Sequence, residues 1–211
     1  MLESSYKVVL LGEPNVGKLD IINTFVGNTF NTDSMKTLSA QFVKKTIDIQ
    51  GKSITFDIFD TAGQEKFSPL AKIFYKDAKV IIFVYDITNK ESFDKIKNYW
   101  YEEVKKNGVT NVILAVVGNK CDLYDNQQVS DNEGKEFAES INAIFALTTN
   151  KSDTGVKKLF KDIAKKIVDT NYDYSNKEEK MEEEEYKKRK ENKLKEDNNN
   201  EGKKKEKCII F

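Results

Sequence analysis

Apolar and polar positions recur along the chain with two periods, and the segments they mark follow a strand–helix order. "YKVVLLG", Tyr6 to Gly12, is an apolar run entering a glycine, the pattern of a buried strand ending in a loop. Ile21, Ile22 and Phe25 then recur at helical spacing within Leu19 to Val26. "FVKKTIDIQGKSITFDIFD", Phe42 to Asp60, predicts two strands joined by a tight turn at Gln50-Gly51, with Ile54, Phe56 and Ile58 alternating along the second. "KVIIFVYD" and "NVILAVVGNK" are continuous apolar runs, as expected of strands covered on both faces. Between them "SFDKIKNYWYEEVKK" carries Phe93, Ile96, Trp100 and Val104 on one helical stripe. A helix from about Asp131 to Ser140, a short strand "AIFAL" and a last helix with Val156, Leu159, Phe160, Ile163 and Ile167 follow. The prediction is a three-layer α/β fold with five helices and a six-stranded, mostly parallel sheet with one antiparallel edge strand. Ligands of such sheets bind at the carboxyl ends of the strands.

After Thr170 this pattern stops. Residues 171–211 hold few apolar side chains and cannot bury enough surface to offset their chain entropy, so a disordered charged tail is expected. Its charges come in blocks: Glu183, Glu184 and Glu185 stand four residues before Lys187, Lys188 and Arg189, which also suits a transient charged helix. The chain is thus divided at 1–170 and 171–211.

Composition narrows the chemistry. Of 211 residues, 35 are Lys or Arg and 35 are Asp or Glu, so no net basic field points to nucleic acid. The absence of histidine excludes His-ligated zinc, Ser-His-Asp triads and histidine proton shuttles. Cys121 and Cys208 lie far apart with no pairing pattern, so a reducing compartment is expected. "MLESSYKVVLLG" has too short an apolar run for a signal peptide or a membrane span.

Three short motifs follow predicted strands, and each suits one part of a nucleotide. Gly12-Glu13-Pro14-Asn15-Val16-Gly17-Lys18-Leu19-Asp20 leaves a strand and opens a helix, so its backbone N–H groups can wrap phosphate oxygens while Lys18 reaches the outer phosphates. A glycine turn with a surface lysine is the plain alternative. "DTAGQE" starts at the end of a strand. There Asp60 can hold magnesium through water, Gly63 can bring its N–H to a terminal phosphate, and Gln64 can orient an attacking water. In "GNKCD", Asn119 and the Lys120 stem can frame a purine, and Asp122 can accept from both N1–H and the exocyclic amine of guanine. Alone, that tetrapeptide is a common surface loop; in register with the other two it selects guanine.

On these motifs the chain resembles a small GTPase of the Ras superfamily, and within it the Rab family, from about Tyr6 to Thr170. "FDTAGQEKF", "YDITNKESF" and the helix with Trp100 carry the likeness, and "TLSAQFVKKTIDIQGK" is most similar to the early-endosomal Rabs. The resemblance implies a G domain that binds GTP or GDP with Mg2+ and hydrolyses GTP slowly. It matches Thr37 to the switch threonine that binds magnesium, Phe30 to the aromatic on the guanine edge, and Thr148 to Lys151 to the last guanine loop, with Thr149, Asn150 and Lys151 at the base. It also implies an exchange factor, an activating protein, effectors contacting residues 32–42 and 64–75, and an escort or dissociation inhibitor. A monomer is expected on the cytoplasmic face of an endosomal membrane, with a cytosolic pool. Cys208-Ile209-Ile210-Phe211 has the form of a prenylation signal, and Lys203, Lys204, Lys205 and Lys207 supply a polybasic second signal.

The family pattern breaks at Leu19. The residue after the loop lysine is ordinarily Ser or Thr, whose hydroxyl ligates magnesium, and leucine has no oxygen. Magnesium demands near-ideal octahedral coordination, so a lost ligand must be replaced by water or forgone. Asp20 adds a negative charge beside the phosphates; a swing of its carboxylate toward the vacant ligand position is the alternative, but it points about 100° further round the helix. Ser39 stands where a glycine is common. Two readings follow: a membrane-anchored trafficking GTPase of weak activity, or an adaptor that holds GDP or no nucleotide and turns little over.

Overall fold

The computed structural model describes residues 5–27, 41–60, 75–107 and 111–172. Every helix and strand in them lies in the first of the chain's two units, Met1–Thr170. Six strands form one sheet: β1 Ser5–Leu11, β2 Gln41–Ile49, β3 Lys52–Asp60, β4 Val80–Asp86, β5 Ile113–Asn119 and β6 Ile144–Leu147, in the order β2-β3-β1-β4-β5-β6. Only β2 and β3 pair antiparallel; β1–β3, β1–β4, β4–β5 and β5–β6 are parallel. Gln50 (φ 51°) and Gly51 (φ 75°) both take the left-handed conformation, which turns the hairpin with the sheet's own twist. The parallel strands are covered on both faces: Val8 to Leu11 and Val80 to Tyr85 are wholly buried.

Among the described residues five α-helical segments flank the sheet: α1 Lys18–Val26, α2 Lys90–Lys95, α3 Tyr101–Lys106, α4 Asp131–Ser140 and α5 Thr154–Val168. Two of them start on side-chain caps. Asn89 accepts from the Ser92 N–H at 3.1 Å before α2, and Ser130 accepts from the Glu133 N–H at 3.2 Å before α4. Because strand side chains alternate, Val9, Leu11, Ile81, Phe83 and Tyr85 share one face, where Phe93, Ile96, Trp100 and Val104 cover them. Phe56 on β3 belongs to the other face, where Phe25 of α1 stacks on Phe160 of α5 with ring centroids 3.7 Å apart.

The stripe Phe93, Ile96, Trp100 and Val104 is buried as the periodicity predicts, but the helix that carries it is not regular. Ile96–Trp100 is a π-helical turn, and the Tyr101 N–H donates to the Ile96 carbonyl five residues back. One residue more than an α-turn would use is accommodated there. Tyr99 is left on the surface, and Tyr101 turns inward against Phe83 and Phe137. Among the described residues no helix is long and apolar enough to cross a membrane.

Candidate functional site

The carboxyl ends of β1, β3, β4 and β5 bring the phosphate loop, Asp60, Asp86 and Asn119 to one end of the sheet. The loop from Gly12 to Gly17 leaves β1 and enters α1. Two of its glycines are dictated by crowding: a Cβ on Gly12 would run into the Val84 carbonyl oxygen, and one on Gly17 would run into the Asn119 amide. Gly17 (φ 91°, ψ 31°) is also the N-cap of α1 in a left-handed conformation, which leaves the first N–H groups of that helix facing the loop. Lys18 is buried, and its ammonium donates to the Gly12 carbonyl at 2.6 Å and the Glu13 carbonyl at 3.2 Å. It therefore lies over the loop whose phosphates it is expected to contact.

The loop after β5 is tied directly to this one. Asn119 is buried; its amide donates to the Val16 carbonyl at 2.8 Å and its carbonyl accepts from Thr148 at 2.9 Å. Lys120, at φ 62°, donates to the Asn15 carbonyl at 2.8 Å and to Asp86 at 2.5 Å. Asp122 accepts from the Thr149 hydroxyl at 2.6 Å on one oxygen and from Lys151 at 2.6 Å on the other. Burial opposes ionisation of Asp122, but the hydrogen bonds from Lys151 and Thr149 outweigh it and hold the carboxyl below the usual carboxylate range. Thr149 in turn accepts from the Lys151 N–H at 3.1 Å. Asn150 is exposed. One Asp122 oxygen is thus fixed by a buried hydroxyl, while the other faces an exposed lysine that can give way to a ligand's N–H donors.

Two residues of this network have side-chain roles that the sequence did not assign. Asp86 ends β4 opposite Asn119 in the register, anchors Lys120, and accepts from the backbone and hydroxyl of Thr88 at 2.8 and 2.7 Å. Thr148 fixes the orientation of the Asn119 amide. Both lie in stretches that carry the family likeness, Asp86 in "YDITNKESF" and Thr148 at the start of the last guanine loop, but neither had a side-chain role assigned from the sequence.

Asp60 ends β3 as expected and is buried, while Leu19 is half-buried and brings no oxygen. Among the described residues no group of three or more carboxylates or cysteines is placed to hold a metal ion. Of the expected magnesium ligands the described residues include Asp60, and the position after the loop lysine is apolar. Asp20 is half-buried in the first turn of α1. Burial raises its carboxyl above the usual range, the charge of Lys120 opposes that shift, and Asp60 adds to it. Phe30, Thr37, Gly63, Gln64 and Cys208 lie outside the described residues.

The chain's likeness to known proteins agrees with this geometry. A family model described as the Ras family matches residues 7–169. Ras-related protein Rab-22A of Homo sapiens is 41% identical over 165 residues, which cover 78% of this chain and 84% of that protein. Ras-related protein Rab-21 of Bos taurus is 42% identical over 166 residues, 79% of this chain and 74% of that protein.

Proposed function

The chain belongs to the Ras family of small GTP hydrolases, on its Rab branch, and from that premise we propose a trafficking switch whose guanine pocket is complete and whose triphosphate state is weakened. Members of the family bind GTP and GDP with Mg2+ and work through regulators and effectors. The observation that carries the reading is Asp122, held ionised by Thr149 and Lys151 at the end of β5 and linked through Asn119 to the phosphate loop. Its carboxylate can accept from the two adjacent donors of guanine, a pair that adenine lacks. Lys18 and the loop N–H groups hold the phosphates, and Asn119 fixes the loop against the base. Gln64 is assigned the attacking water, the role its type has in phosphoryl transfer. Leu19 supports the second half of the reading. The triphosphate state depends more than the diphosphate state on cation contacts near the outer phosphates, and an isobutyl group offers none.

A second reading, an adaptor that keeps GDP or no nucleotide and serves by binding partners, is favoured by the same leucine. Attachment to an endosomal membrane through Cys208 and its neighbouring lysines belongs to either reading. Single-turnover hydrolysis separates them. The switch reading expects slow phosphate release from GTP-loaded protein, abolished by Gln64→Leu. The adaptor reading expects no release from wild type above the Gln64→Leu level.

A further inference from the structure

We propose that Asp20 sets the rate of nucleotide release: its carboxylate stands beside the Gly17 turn of the phosphate loop and opposes bound phosphates, and it does not replace the ligand oxygen missing at Leu19. The inference rests on the nucleotide reading of the site. Asp20 lies in the first turn of α1, and its Oδ2 is 3.3 Å from where a Gly17 Cβ would sit. That same point is in contact with the Asn119 amide. The carboxylate therefore lies beside the Gly17 turn of the loop, where Lys120 and Asp60 both act on it. Successive helical side chains diverge by about 100°, so the direction Leu19 takes is a different one.

This placement makes Asp20 an internal competitor. The N-terminus of a helix favours an anion, and a phosphate bound at the loop draws on that same field. Asp20 already supplies a negative group there, with the positive Lys120 and the negative Asp60 both acting on it. A nucleoside diphosphate or triphosphate must bind beside that charge and leaves the site faster for it. The effect belongs to the charge itself, so it persists with no cation present.

The test is release of mant-GDP into excess unlabelled GDP by the full-length chain, with Mg2+ and with EDTA. The proteins are wild type, Asp20→Asn, Asp20→Ser, Asp20→Glu and Leu19→Ser. Asp20→Asn and Asp20→Ser are expected to release about fivefold or more slowly than wild type under both conditions. Asp20→Glu keeps the fast release, and Leu19→Ser slows release only with Mg2+. Faster release by Asp20→Asn confined to Mg2+ would make the carboxylate a metal ligand and overturn the proposal. Equal rates, or an Asp20→Glu as slow as Asp20→Asn, would overturn it too. If wild type holds mant-GDP and its release ignores residue 20, only the Asp20 assignment falls. If no variant holds it, the nucleotide reading falls with it.

Discussion

The Asn119 side-chain amide donates to the Val16 carbonyl at 2.8 Å and joins two loops that lie 103 residues apart in the chain. The same side chain accepts from Thr148, so it is held in one orientation from both ends. Asn119 is therefore a structural tie between the phosphate loop and the base pocket as well as a candidate base contact. Replacing it by alanine leaves the buried Thr148 hydroxyl without its acceptor and frees the Val16 carbonyl. We expect Asn119→Ala to cost about 2 kcal/mol of stability and to weaken mant-GDP binding. Denaturant unfolding read beside fluorescence titration checks both. Weaker binding at unchanged stability would remove the tie from the explanation.

Asp122 carries a prediction about pH. Its folded pKa is lowered, so the stability its charge contributes is present above the unfolded carboxylate value and is lost as pH falls through the folded one. Asp122→Asn should melt below wild type at pH 7 by a margin that stays constant down to pH 5. The margin should shrink below about pH 4, near the unfolded aspartate value. Thermal melts of the two proteins across that range are the measurement. A margin that grows on acidification contradicts the assignment.

The π-helical turn predicts that one residue can be removed. Deleting Tyr99, which is exposed, leaves Trp100 three positions after Ile96 and four before Val104, still an α-helical stripe. The deleted chain should fold with a melting temperature at or above that of wild type. A clear fall would mean that the wide turn itself is needed to seat Trp100 and Tyr101.

Much of this molecule was legible in its sequence because burial leaves periodic traces. The uninterrupted apolar runs of β4 and β5 required cover on both faces, and Gln50-Gly51 between alternating strands required a hairpin; both are present. The three motifs fell at strand ends, and the match to the Ras family over residues 7–169 agrees with the membership they implied. The π-turn was not legible, because Phe93, Ile96, Trp100 and Val104 fit an ordinary α-helix equally well on spacing alone. Asp86 was missed because its importance comes from the strand register that sets it opposite Asn119, and register is a tertiary property. The direction of Asp20 was legible as an angle, but its neighbours Gly17 and Asn119 emerge only once β5 is in place.

A site built for guanine but short of a cation ligand should have lost selectively its cation-dependent grip on the triphosphate. That loss is tested most directly by mant-GTP and mant-GDP affinities of wild type and Leu19→Ser, each titrated with Mg2+. Wild type is expected to bind GDP with little Mg2+ dependence and GTP less tightly than GDP. Leu19→Ser should gain Mg2+-dependent GTP affinity of about tenfold or more, the scale of one added hydrogen-bonding or ligand contact to a charged group. Wild-type GTP binding that depends on Mg2+ as steeply and is as tight as that of Leu19→Ser would contradict it.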